Sequence, residues 1–379
     1  FPMFAMHEYA QTAALVVAGI GGFTSIFAAS MGIVMNDIKR VLAYSTISQL
    51  GYMMLGLGAV AYAAATAADH HTYEHLLEIG FAVGMFHLFT HAYFKSMLFL
   101  ASGSLQHSTG TFDIRLMGGL RKYMPWTFVI FLVGSLALAG IWPLSGFWSK
   151  DGILLHAWDY TPAFFWLAMV TVFMTAFYMF RTIFVTFSGE YRGGDPSGLH
   201  GEHHDATPHE SPFVMIGPML ILMVLAISSG WFGAYGFMGG HEHGFFDVFM
   251  HPGLPLWGLL TALAGIFFAY AIYGAKWISN EAIGRVFQPV YVLWSRKYYM
   301  DDLYEDVIIR GLLMGVIFKA CAWFDDNIVD GIVNGLASLT RGIGGGLRKV
   351  QTGQLQEYGM AMGLGVIVIL AVVLIGFYS

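Results

Sequence analysis

The chain has 379 residues, of which 57% are hydrophobic and 11% charged, with a net charge of -6 and a mean hydropathy of +0.63. A soluble domain is about one quarter charged, so this composition belongs to an integral membrane protein. The basic residues are too scattered for a nucleic-acid footprint. The single cysteine, Cys321, excludes an internal disulfide framework, a Cys-ligated iron–sulfur cluster and a thiolate zinc site.

The chain opens on Phe1, with no initiator Met and no signal-peptide pattern, as expected of the C-terminal part of a longer chain. Bilayer-length apolar segments follow at about 12–35, 41–63, 76–106, 126–155, 162–187, 212–236, 254–275 and 358–378. The expected fold is an all-α membrane protein, a bundle of about eight transmembrane helices with one or two of them discontinuous. The first segment carries no charge. The second opens after Lys39 and Arg40 and bears a polar stripe, Tyr44-Ser45-Thr46 and Ser48-Gln49, for which bonding to neighbouring helices is favoured over holding waters.

The third and fourth segments exceed the roughly 20 residues a crossing needs, so tilting or breakage is expected. The third carries His87, His91 and Lys95 at i, i+4 and i+8, a spacing that puts all three on one helix face. A charged side chain at membrane depth costs roughly 2.5–3.5 kcal/mol on insertion scales and marks a functional site by default. Metal ligation is disfavoured here, because no carboxylate ligand is near and the third group is an amine. Imidazole accepts and donates protons near neutrality, so three titratable groups in line favour a proton relay over polar helix-packing groups.

The fourth segment contains Gly-Ile-Trp-Pro-Leu-Ser-Gly at 140–146. Pro143 removes a helix hydrogen bond and clashes with the preceding turn. Between Gly140 and Gly146 it is expected to split the helix in mid-membrane, which is tolerated only inside protein or along a wet cavity. Two placements of Lys150 and Asp151 are open on sequence alone. One is an ion pair at the outer surface; the other is a deeper position beside the backbone groups that the break frees.

Beyond the sixth segment's approach loop, which holds His200, His203, His204 and His209 among Gly, Glu and Asp, a solvated loop is favoured over a metal site. The loops before segments two, four, six and eight hold Lys39, Arg40, Arg115, Arg121, Lys122, Arg192 and every basic residue from Lys276 to Lys349. The alternate loops (1–11, 64–75, 156–161 and 237–253) hold no Lys or Arg. By the positive-inside rule both chain ends face outward. Residues 276–357 mix apolar runs with Arg310, Lys319, Asp325, Asp326 and Asp330, as an amphipathic helix lying along the membrane or along partner helices would. From Asp302 to Val350 it would reach roughly 70 Å, with a break expected at Gly344-Gly345-Gly346. The organisation is therefore a transmembrane bundle (1–275), a connector with a lateral amphipathic helix (276–357) and a C-terminal transmembrane anchor (358–379).

NDIKRVLAYSTISQLGYMMLGLG (36–58), FHLFTHAYFKSMLFLASGSLQH (86–107), MGGLRKYMPWT (117–127) and LALAGIWPLSGFWSKDGIL (136–154) resemble the antiporter-like subunits of respiratory complex I. Related families include the large subunit of multisubunit cation/proton antiporters. YYMDDLYEDVIIR (298–310) and LRKVQTGQLQEYGMAMGLG (347–365) resemble the lateral helix and terminal anchor of the distal complex I subunit. The resemblance implies a proton-translocating membrane subunit of an NADH:quinone oxidoreductase, in a bacterial inner or mitochondrial inner membrane. It implies NADH, FMN, iron–sulfur clusters and quinone in partner subunits, with no redox site in this chain. It further implies contact with other membrane-arm subunits through the lateral helix, and protons as cargo, with sodium as the alternative. It assigns His87, His91 and Lys95 to a central hydrophilic axis, Lys150 with Asp151 to a discontinuous helix that leads toward one aqueous side, and Lys39 to the same axis. The family's glutamate–lysine pair would lie upstream of Phe1.

Overall fold

A computed structural model describes residues 7–67, 70–194, 207–237 and 253–378, which are helical and contain no strand beyond one isolated bridge. The chain divides into two units, Phe1–Tyr298 and Tyr299–Ser379.

In the first unit, α1 (His7–Val34) and α2 (Ile38–Ala65) pack side by side over their length. Glycine makes that approach possible: a Cβ on Gly51 would lie 2.7 Å from both the Gly21 carbonyl oxygen and the Ser25 amide. Membrane helices, lacking a hydrophobic drive to associate, use such small residues to bring backbones together. Asp37 starts α2, its carboxylate accepting from the Arg40 amide at 3.0 Å.

The third apolar segment is a single 40-residue helix, α3 (His70–Thr109), without a break. At 1.5 Å per residue it extends about 60 Å, twice the hydrocarbon thickness. The fourth segment is two helices, α4 (Pro125–Ala139) and α5 (Ser145–Tyr160), with the irregular turn around Pro143 between them, as the sequence predicts. α6 (Pro162–Phe187), α7 (Phe213–Phe237) and α8 (Leu254–Ala269) complete the bundle, α8 continuing into a wider π turn at Tyr270–Gly274. Two short helices, α9 (Asn280–Val286) and α10 (Gln288–Ser295), follow. The loops on the basic side are tied down by backbone acceptors. Arg192 donates to the carbonyls of Ile114, Arg115 and Val185, and Arg181 donates to the Met35 carbonyl and to Asn36 Oδ1, both at 2.6 Å. Arg181 is thus a buried clasp on the α1–α2 turn as well as a basic-side charge.

Among the described residues the two larger buried apolar clusters fill most of the bundle core. One is built around Leu42, Phe94, Leu98, Phe131 and Tyr178, and the other around Tyr52, Leu55, Val83, Ile153 and Phe165.

In the second unit, residues 300–350 form one continuous helix, α11, wound more widely over Leu303–Ile317 and Asp325–Val329. The break expected at Gly344-Gly345-Gly346 is absent: α-helix runs through all three to Val350. Glycine costs a helix about 1 kcal/mol relative to alanine, which weakens it without ending it, and none of the three adopts a left-handed φ. The stop comes at 351–354, where Gly353 takes φ +77°. Over Asp330–Val350 the residues Ile332, Val333, Leu336, Leu339, Ile343, Leu347 and Val350 recur at helical spacing on one side, the pattern of an amphipathic helix. α12 (Leu355–Tyr378) is a final apolar helix of bilayer length.

Candidate functional site

The break in the fourth segment creates the site. Gly140, at φ +80°, ends α4: its N–H goes to the Ala137 carbonyl and that of Ile141 to the Leu136 carbonyl, both at 3.0 Å. This is the Schellman pairing of a helix C-terminus. The Leu138 carbonyl is taken instead by the Lys150 ammonium at 2.6 Å. A cation at that end also meets the negative pole of the α4 dipole. Lys150 is only 4% exposed, and the described residues contain no ion pair between it and Asp151. Lys150 is thus buried beside a backbone group that the break frees, rather than ion-paired with Asp151. Lys150 and Asp151, the latter half-buried, line a crevice of about 10 Å³ with Gly140, Pro255 and Gly258. That is room for about one water.

Facing α5 across the bundle, α3 presents His87, His91 and Lys95 buried in line. Lys95 donates to the Leu42 carbonyl of α2 at 3.0 Å. His87 bonds sideways at both ring nitrogens, with Nδ1 2.8 Å from Ser149 Oγ on α5 and Nε2 3.0 Å from Gln49 Oε1 on α2. Ser149 Oγ lies a further 2.8 Å from Thr90 Oγ1, and all four groups are buried. Tyr52 sits between Lys150 and His87, its ring 5.9 Å from Lys150 Nζ and 5.9 Å from the His87 ring. The His87 and His91 rings are 6.2 Å apart, and the Phe94 ring borders both. His91 Nε2 is buried without a hydrogen-bond partner.

The structure therefore brings together His87, His91, Lys95 and Lys150, with Asp151 at the edge of the group. Lys39 stands apart, exposed in the first turn of α2 with its ammonium 5.6 Å from the Phe112 ring. His209 lies in the approach to α7, its ring 6.0 Å from that of His107, while His200, His203 and His204 fall outside the described residues. Among the described residues no group of three or more His, Cys, Asp and Glu is placed to hold a metal ion. Cys321 is free and exposed. Ser149, Thr90 and Tyr52 escaped sequence reasoning, and Gln49 was legible only as part of a polar stripe. A faint signal existed for two of them: Thr90 is i+3 from His87, and Ser149 directly precedes Lys150.

Outside the spans, the Asp113 carboxyl is held below the usual carboxylate range, chiefly by its hydrogen bonds with the Arg115 guanidinium at 2.6–3.1 Å. That pair braces the loop whose Phe112 carbonyl and Ile114 amide bond to Ile38 and Asn36 at the α1–α2 turn.

Residues 1–175 match the family model described as "NADH:quinone oxidoreductase/Mrp antiporter, TM". The chain is 38% identical over 394 residues to NAD(P)H-quinone oxidoreductase chain 5 of Picosynechococcus, covering 94% of this chain and 56% of that one. It is 36% identical over 416 residues to NADH-quinone oxidoreductase subunit L of Neisseria meningitidis, covering 99% and 58%. It is also 37% identical over 408 residues to F(420)H(2) dehydrogenase subunit L of Methanosarcina mazei, covering 98% and 56%. The chain thus spans a little over half the length of the curated relatives it matches. With several apolar helices of crossing length, the chain is a multi-pass membrane protein. It belongs to the antiporter-like family of NADH:quinone oxidoreductase and Mrp antiporter membrane subunits.

Proposed function

We propose that this chain is a proton-translocating membrane subunit of an NADH:quinone oxidoreductase, corresponding to the distal, subunit L-type member of the membrane arm. The observation that carries the proposal is the buried cluster itself. Two lysines and two histidines on α3 and α5 lie within the apolar bundle, joined across helices by the His87–Ser149 bond. Such groups are expensive at membrane depth and accompany ion pathways. NADH, FMN, iron–sulfur clusters and quinone belong, on this proposal, to partner subunits, and this chain moves protons with no redox site of its own. His87, His91 and Lys95 form the axis, Lys150 with Asp151 forms the branch toward one aqueous side, and Lys39, at the start of α2, belongs to the same axis. A charge on one member disfavours charge on the next, which couples the sites without large motion. The one-sided loop charges support a placement with both chain ends on the outer face. The apolar face of α11 supports a lateral role against neighbouring subunits.

The test is Lys95→Met in the intact complex in membrane vesicles. Quinone reduction should persist while protons moved per NADH fall. Unchanged stoichiometry would overturn the proposal, and pumping that stops when sodium is withdrawn would move the cargo to sodium.

A further inference from the structure

We infer that Gln49 is a positioning residue: with Ser149, it holds His87 in one tautomer, so that the ring's basic nitrogen faces the broken-helix segment carrying Lys150. This rests on the relay proposed above, and it changes the shape of that relay. The i, i+4 spacing suggests a column running from His87 to His91 along α3. The hydrogen bonds run across it instead. Both His87 nitrogens are occupied by other helices, and the neighbouring His91 ring is 6.2 Å away, centroid to centroid.

Gln49 Oε1 can only accept, so on this inference the His87 Nε2 it faces at 3.0 Å carries the hydrogen. Neutral His87 then has its lone pair on Nδ1, where the Ser149 hydroxyl donates at 2.8 Å. When a proton from the relay adds at Nδ1, the new N–H donates to Ser149 Oγ. The hydroxyl keeps its own hydrogen and must turn it elsewhere. Two acceptors are in place, Thr90 Oγ1 at 2.8 Å and the Ser145 carbonyl at 3.4 Å. Ser145 opens α5, one turn before Lys150 and beside the break at Pro143. The charge state of His87 is thereby written into the hydrogen bonding of the first turn of α5. His87 is the junction between the α3 axis and the Lys150 branch, and α2 contributes the residue that sets its direction.

The experiment uses the intact complex in membranes, with 15N-labelled histidine and His87 assigned by difference against His87→Gln. Wild type should give the Nε2–H tautomer. Gln49→Leu should convert His87 to the Nδ1–H tautomer and lower protons moved per NADH at least twofold at unchanged quinone reduction. Ser149→Ala should lower pumping similarly, and Ser149→Thr, which keeps the hydroxyl, should restore it. An Nδ1–H tautomer in wild type, an unchanged tautomer in Gln49→Leu, or full pumping by Ser149→Ala would each overturn the inference. If Lys95→Met pumps normally, the underlying relay fails. If Lys95→Met is defective and Ser149→Ala is normal, only the junction fails.

Discussion

Replacing Lys150 by methionine separates a stabilising role from a transport role, because the structure makes two opposing costs nearly equal. The ammonium bonds the Leu138 carbonyl at 2.6 Å, an acceptor left over where α4 ends at Gly140. Removing the donor from a buried carbonyl costs about 1–3 kcal/mol. Removing a charge from membrane depth returns about 2.5–3.5 kcal/mol. Methionine fills nearly the same volume, so no cavity term enters. The net change lies between about 0.5 kcal/mol against the variant and about 2.5 kcal/mol in its favour. Lys150→Met should therefore assemble normally and unfold close to the wild-type temperature or slightly above it. Pumping should fall. The assay is dye-reported acidification of inverted vesicles at matched rates of quinone reduction, with assembly followed on native gels. Wild-type protons per NADH would refute a transport role for Lys150. A variant that fails to assemble would refute the energetic offset.

Other perturbations probe the framework that holds the site. Gly146→Ala would drive a Cβ into the Ala137 carbonyl; at about 1–3 kcal/mol for such overpacking, the melting temperature should drop and pumping should weaken as the neighbouring Leu138 carbonyl shifts. Arg181→Met removes two 2.6 Å charge-assisted bonds to the α1–α2 turn; a loss of about 2–3 kcal/mol should appear as a lower unfolding midpoint in detergent. The Asp113 carboxyl is held low by Arg115, so its contribution is complete above the ordinary value near 3.9 and is lost as pH falls through the depressed one. Hydrogen exchange at the Ile38 and Ile114 amides should accelerate below about pH 4 beyond the intrinsic trend, and Asp113→Asn should abolish that extra acceleration.

The parts legible in the sequence are those that a single helix decides. His87, His91 and Lys95 share a face because of helical periodicity alone, and Pro143 between two glycines breaks α4 from α5 through its own covalent geometry. What periodicity cannot show is which neighbour a face meets. Gln49 is one more polar group in a stripe, and nothing in the chain order singles out Ser149; their meeting at His87 depends on the packing of α2, α3 and α5. The Gly344–Gly346 run misled for a different reason. Glycine marks a helix end when the chain needs a left-handed residue there, as at Gly140, and three glycines with ordinary helical φ are only a weakness in an otherwise amphipathic helix.

The partners of the two buried lysines bear on what the site can do. Both ammonium groups donate to backbone carbonyls, Lys95 to Leu42 and Lys150 to Leu138. Arg115, in the loop, is instead matched by the carboxylate of Asp113. A carboxylate partner favours the charged form of a base and so holds its proton. A carbonyl accepts from an ammonium and from a neutral amine alike, so a lysine bound to one loses its proton without leaving an unpaired anion behind. Charge in the loop is locked for structure, and on the proposed function charge inside the bundle is left exchangeable. That difference follows from where α4 stops: had the helix run on through Pro143, the Leu138 carbonyl would have been spent within it, and Lys150 would have needed an acid to stay buried.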